Sequence, residues 1–180
     1  MSLFGRTEVF AFLGLGSNMG EPMDNLQDAV DLIDADAATR VDAISSVYRT
    51  APVGGPEQND FLNMAARVAT TRTPRKLLAL AHDVEAKLGR VRTVRFGPRT
   101  VDVDILLYGE RVVRTRDLQI PHPRLRERPF ALIPLIEVAP GQTFPDGSSL
   151  TAVMAGLAPV EGVTAIGTQV HLPGRQGEQR

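Results

Sequence analysis

Gly97-Pro98-Arg99-Thr100-Val101-Asp102-Val103-Asp104-Ile105-Leu106-Leu107-Tyr108 is the stretch on which the fold turns. Its β-branched residues alternate, which predicts a β-strand. Side chains two apart on a strand share a face. Asp102 and Asp104 therefore point one way, their Cα atoms roughly 7 Å apart at about 3.3 Å per residue. Val101, Val103 and Ile105 point the other way, into a core. Two like charges on one face of a core strand repel, so something must compensate. Two answers fit the spacing: carboxylates that are solvated or paired with arginine, or a hard-cation site, since Mg²⁺ is held by one or two carboxylates plus substrate phosphates. Arg99 stands just ahead of the strand, where it can serve a phosphate.

Outward from that strand, charge is distributed unevenly. The chain has 180 residues and a net charge of −1, yet the segment from Arg90 to Arg128 holds ten arginines against five acids. That gathers basic charge around the aspartates, as a polyanionic ligand requires. The nearly neutral whole argues against a surface that coats nucleic acid. No cysteine is present, which excludes disulfides and thiolate catalysis. Met1 to Arg6 lack a signal-peptide pattern and no apolar run approaches about 18 residues. The expectation is one cytoplasmic domain over 1–180, without a membrane partner, monomeric, with a flexible tail from about 172.

The apolar run Glu8–Leu15 predicts a central strand, and Gly14 to Gly20 a tight turn that fits neither a dinucleotide-binding nor a P-loop pattern. A helix is expected from Pro22, with Leu26, Ala29, Val30 and Ile33 as its stripe. Strands are expected over Val41–Tyr48 and Phe61–Thr71, and between them lies a Pro/Gly-dense loop. Thr73-Pro74 opens a second helix that Gly89 ends. Three closely spaced arginines, 90, 92 and 95, follow; they suit a basic flap over phosphates or a solvated loop. After the aspartate strand come a short Val112-Val113 strand, an extended Ile120–Pro123, helices over Phe130–Val138 and Leu150–Leu157, and a last strand over Val163–Val170. The order β-α-β-β-α-β is the ferredoxin-like pattern, α+β with an antiparallel sheet and helices on one face, here with C-terminal additions.

These residues resemble the 6-hydroxymethyl-7,8-dihydropterin pyrophosphokinase family. The likeness rests on Gly97–Leu106 and, in the same order as in the family, on Gly14–Asn18, Tyr48-Arg49-Thr50, Asp60–Asn63, Gly89–Arg92, Pro121–Leu125 and Arg128-Pro129-Phe130. It covers about Val9 to Asp146. The resemblance implies transfer of pyrophosphate from ATP to a reduced pterin, with two Mg²⁺ ions on Asp102 and Asp104. It implies catalytic roles for Arg90, Arg92 and Arg99, and phosphate contacts from His122 and Arg128. Leu78, His82 and Ile105 align with adenine-pocket positions. Thr50, Val53, Phe61, Asn63 and Phe130 align with the pterin site, Phe61 and Phe130 against the ring faces and Asn63 on its amide-like edge. Glu85 aligns with a helix carboxylate that supports the loop arginines. Phe61 and Phe96 stand where some members have tyrosine and tryptophan, Thr93 where a basic residue occurs, and Pro123 where some have tyrosine. No general base is evident. Two other classes fit the residues: a ferredoxin-like RNA-binding module, weakened by the 5% aromatic content, and a regulatory domain that binds ATP without chemistry.

Overall fold

The computed structural model describes residues 7–52, 56–89, 97–167 and 170–174. Its elements run β1 (Val9–Ser17), α1 (Pro22–Asp34), β2 (Thr39–Ile44), β3 (Tyr48–Thr50), β4 (Phe61–Thr70), α2 (Pro74–Lys87), β5 (Asp102–Tyr108), β6 (Val113–Arg114), β7 (Gln119–Ile120), α3 (Pro129–Val138), α4 (Leu150–Ala155) and β8 (Val163–Ala165). The main sheet is antiparallel, in the order β5-β1-β4-β3-β8, with β2 also on β4. The ferredoxin-like core is therefore present. Thr73 caps α2 as expected, its side chain accepting from the Lys76 N–H.

Strand alternation divides the apolar residues into two cores. Ala11, Leu13 and Leu15 of β1 join Val101, Val103 and Ile105 and the stripes of α1 and α2. Phe12, Ala65 and Leu106 meet Leu132, Leu135 and Val138 of α3 and Leu150 of α4 on the other face. The expected single helical face is thus only half of the arrangement: the C-terminal helices cover the second face at one end and leave the other end open. α3 keeps helical form across Pro134.

The strand expected over Val41–Tyr48 is two strands. The Ser45 N–H donates to the Ala65 carbonyl at 2.9 Å, and the Ser45 hydroxyl accepts the Ala65 N–H at 2.9 Å. A side chain thus takes the place of a main-chain acceptor, and the ladder slips by one residue before β3 resumes at Tyr48↔Asn63. Glu137 of α3 receives the Ser46 N–H and the Tyr48 hydroxyl, which secures the break. Smaller differences concern ends: β6 begins at Val113, α4 stops at Ala155, and β8 covers Val163–Ala165 rather than reaching Val170.

If α3 holds the second face by burial, Leu135→Ala should lower the unfolding free energy by about 2–5 kcal/mol, the range for a buried leucine. Urea titration measures it; a loss under about 1 kcal/mol would show that α3 is not part of that core.

Candidate active site

The open end of the second face is built from rows of residues running across three strands. Register sets Asp102 opposite Gly16, and Gly16 opposite Asn63; one row along, Asp104 stands opposite Gly14, and Gly14 opposite Ala65. The turn expected over Gly14–Gly20 is therefore corrected: Gly14 and Gly16 lie inside β1, which continues to Ser17. Strands are about 4.8 Å apart, so a floor without side chains separates the aspartates from Asn63 by roughly 10 Å. A Cβ on Gly16 would lie 2.8 Å from Asn63 Oδ1, and one on Gly14 would touch Leu106 at 3.3 Å.

Asp102 and Asp104 share this face, as their spacing predicts. Asp102 Oδ2 accepts from the Arg99 guanidinium at 2.6 Å, and its side chain is 21% exposed. Asp104 is more open, at 41%, with His122 Nε2 3.9 Å from Oδ2. Arginine pairing is thus present at Asp102, and Asp104 is the more exposed carboxylate of the pair. Among the described residues no three His, Cys, Asp or Glu side chains cluster as a metal cage. Two hard oxygen donors with room beside them fit Mg²⁺, which completes its octahedron with phosphate and water.

His122 sits behind β7, its main-chain N–H on the Leu106 carbonyl at 2.9 Å. Burial first, then the nearby Arg128 charge, pushes its pKa down to about 4, although Asp102 pulls the other way. The imidazole is neutral at pH 7. Nδ1 accepts the Arg124 N–H at 3.2 Å, so Nε2 carries the proton and faces Asp104. Arg128, at the start of α3, is lowered from its ordinary pKa, mainly by burial and then by Arg124; arginine remains charged even so.

The aromatic candidates are half-buried and belong to neither core cluster. Phe61 lies 5.6 Å from the Arg99 guanidinium, and Phe130 lies 5.7 Å from that of Arg128. Each ring is thereby joined to the basic side of the site. Asn63 Nδ2 donates to Thr50 Oγ1 at 2.7 Å, with the amide nitrogen toward β3 and the oxygen over Gly16. Leu78 and His82 stand one turn apart on α2, Leu78 against the helix-side core and His82 exposed. The Ile105 side chain is buried in that core, facing away from the aspartates. Val53, Arg90 and Arg92 lie outside the described residues, as do Thr93 and Phe96.

Two residues gain roles that sequence reading missed or placed elsewhere. Asn18 is 1% exposed. Its Nδ2 donates to Gln58 Oε1 and the Asn59 carbonyl, while its Oδ1 accepts the Arg99 N–H at 2.9 Å. One side chain thus ties the segment before β4 to the segment before β5. A buried asparagine after a glycine-rich run was the available signal. Glu85, 4% exposed, accepts the N–H of Val103 at 2.9 Å. It holds the residue between the two aspartates from the edge of β5.

Gly16→Ala should swing the Asn63 amide off Thr50, visible in a crystal structure or in the Asn63 side-chain amide resonances; an unmoved amide would contradict the floor. Glu85→Leu strands the Val103 N–H and should cost about 1–3 kcal/mol in denaturant titration, whereas Glu85→Gln retains an acceptor and should cost less.

Comparison with known proteins adds names to this geometry. The chain is 47% identical over 128 residues to the 2-amino-4-hydroxy-6-hydroxymethyldihydropteridine pyrophosphokinase of Bacillus subtilis, covering 71% of this chain and 77% of that one. It is 39% identical over 152 residues to the enzyme of the same name from Pseudomonas aeruginosa, covering 84% and 93%. A solved HPPK-DHPS structure from Plasmodium falciparum superposes with a TM-score of 0.66 at 12% identity, covering 86% of this chain and 45% of that one. At that identity the likeness speaks for the fold alone, and this chain spans less than half of that longer one. The family model of 7,8-dihydro-6-hydroxymethylpterin-pyrophosphokinase matches residues 12–140, and the chain belongs to that family.

Proposed function

We propose that this chain transfers the pyrophosphoryl group of ATP to the hydroxymethyl group of 6-hydroxymethyl-7,8-dihydropterin, giving the pterin diphosphate and AMP, a step of folate biosynthesis. The observation that carries it is the cross-strand register: Asp102 opposite Gly16 and Gly16 opposite Asn63, with Asp104 one row along opposite Gly14, so that only glycine stands in the strand between the carboxylates and the amide. The family and the relatives' names support the reaction.

In this reading Asp102 and Asp104 hold two Mg²⁺ ions. When bound, these neutralise charge on the triphosphate and make the β-phosphorus electrophilic. Arg99 and Arg128 take phosphate oxygens, and the neutral His122 donates Nε2–H to one. Arg90 and Arg92 are assigned to the phosphates by their sequence match alone, and Leu78, His82 and the backbone at Ile105 bound the adenine. Asn63 and the Thr50 hydroxyl read the pterin edge; since Thr50 accepts from Asn63, its own hydrogen is available to the ligand. Phe61 and Phe130 take the ring faces, and Val53 joins the pterin set by its sequence match alone. The substrate hydroxyl attacks the β-phosphorus as the bond to the α,β-bridging oxygen breaks and AMP departs. The hydroxyl proton passes to the carboxylate pair. In this reading the chain acts as a monomer.

An RNA-binding role would need this sheet face as a stacking platform. It carries two aspartates and two glycines there instead. No described helix is long and apolar enough to cross a membrane.

Incubation with ATP, Mg²⁺ and the reduced pterin should yield AMP and pterin diphosphate in equal amounts. Asp102→Ala and Asp104→Ala should each lower turnover by at least about a hundredfold, the scale of one lost preorganised charge contact, with the circular dichroism spectrum retained. Full turnover in either would defeat the metal assignment. Phe130→Ala should raise the pterin KM by roughly tenfold, as loss of stacking worth about 1 kcal/mol or more implies; an unchanged KM would remove the ring contact.

A further inference from the structure

β3 has three residues, yet Thr50, at its end, orients Asn63. Paired with β4 alone it would be a short edge strand, the kind of element that opens locally at low free energy. It is not left as an edge. β8 lies along its outer side in the register Tyr48↔Ala165, Arg49↔Thr164 and Thr50↔Val163. The Ile166 N–H donates to the Val47 carbonyl at 3.0 Å and extends the ladder by one bond. Further on, Val170 is 1% exposed in the helix-side core. His171 then closes on α1: its N–H donates to Gln27 Oε1 at 2.7 Å, and Gln27 Nε2 donates to its carbonyl at 3.0 Å. These residues lie beyond the part of the chain that the family model matches, 12–140.

We propose that β8 and the Val170–His171 clasp form a positioning strap for the pterin half of the site. The strap holds β3 from its outer edge, β3 holds the Thr50 hydroxyl, and Thr50 sets which way the Asn63 amide faces. The inference rests on the pterin reading above. The carboxylates are separated from β3 by β1 and β4 and do not depend on the strap. It touches no substrate; it acts through Thr50.

The test uses the full-length chain. Ile166→Pro removes the N–H that bonds Val47, Ile166→Ala keeps that N–H while shortening the side chain, and Gln27→Ala opens the clasp at the surface. Reduced pterin is titrated in the presence of Mg²⁺ and a non-transferable ATP analogue, and the analogue is titrated alone. Ile166→Pro should weaken pterin by about three- to tenfold, the range that one neutral hydrogen bond spans, with analogue affinity within about twofold of the parent chain. Ile166→Ala should change pterin affinity less, and Gln27→Ala should fall between them. Thr50→Ala should cost less in the Ile166→Pro background than alone, because both act on one contact. Equal losses for both ligands, or full additivity with Thr50→Ala, would overturn the proposal. Amide hydrogen exchange of Tyr48 and Thr50 decides the strap separately: exchange should quicken in Ile166→Pro and Gln27→Ala, and unchanged protection would overturn it. A parent chain that binds no pterin defeats the functional reading instead, and the exchange measurement still judges the strap.

Discussion

Two carboxylates held on one face of a strand whose other face is buried are the constraint around which this protein is arranged. At about 7 Å and an effective dielectric of about 20, their mutual repulsion is about 2 kcal/mol. The strand cannot relieve it by twisting, because Val101, Val103 and Ile105 anchor its other side in the helix-layer core. Relief comes from cationic groups: Arg99, three residues ahead, on Asp102 at 2.6 Å, and Arg128 nearby from the start of α3. Glu85 adds a main-chain restraint at Val103. A site that is anionic at its floor and cationic at its walls follows from that compensation. It suits a metal-bound polyphosphate, which presents both signs of charge.

Much of this could be read from residues alone. The alternation at 101–105 declares which way the aspartates point, and Thr73-Pro74 declares where α2 starts. Other features left no periodic trace. The division of β2 from β3 depends on the Ser45 hydroxyl bonding a backbone amide twenty residues away, and a serine within an apolar alternation does not announce such a bond. Gly14 and Gly16 were legible as glycines but not as floor, because glycine signals a turn more often than a cross-strand gap. Glu85 accepts a backbone N–H, and a main-chain donor leaves no complementary residue in the sequence to mark that bond. The second helical face depends on α3 packing on β4 and β1, a tertiary contact that element order alone does not specify.

The glycine floor also lies between the two halves of the proposed site. Gly16 is the cross-strand neighbour of both Asp102 and Asn63, so the shortest path between the carboxylates and that amide runs through a residue with no side chain to transmit packing. Whatever couples the halves must therefore come from the substrates or from the segments before the strands. Asn18 is placed for that role: it grips Gln58 and Asn59 ahead of β4 and the backbone of Arg99 ahead of β5 with a single amide.

The outer edge of the sheet on the Asn63 side is completed late in the chain. Asn63 belongs to β4, in the middle of the sheet, but its orientation depends on β3, and β3 is itself secured by β8 on one side and by Glu137 beneath Ser46 and Tyr48. Both supports lie C-terminal to β5, outside the βαββαβ unit. The carboxylate strand needs less such help, because β1 pairs along it and α2 packs on it within the core unit. The ferredoxin-like core thus presents the aspartates largely by itself, while orientation of the amide that faces them is delegated to the C-terminal additions. The additions are accordingly part of how this face is built, and the side chains they steady are Thr50 and Asn63 rather than the aspartates.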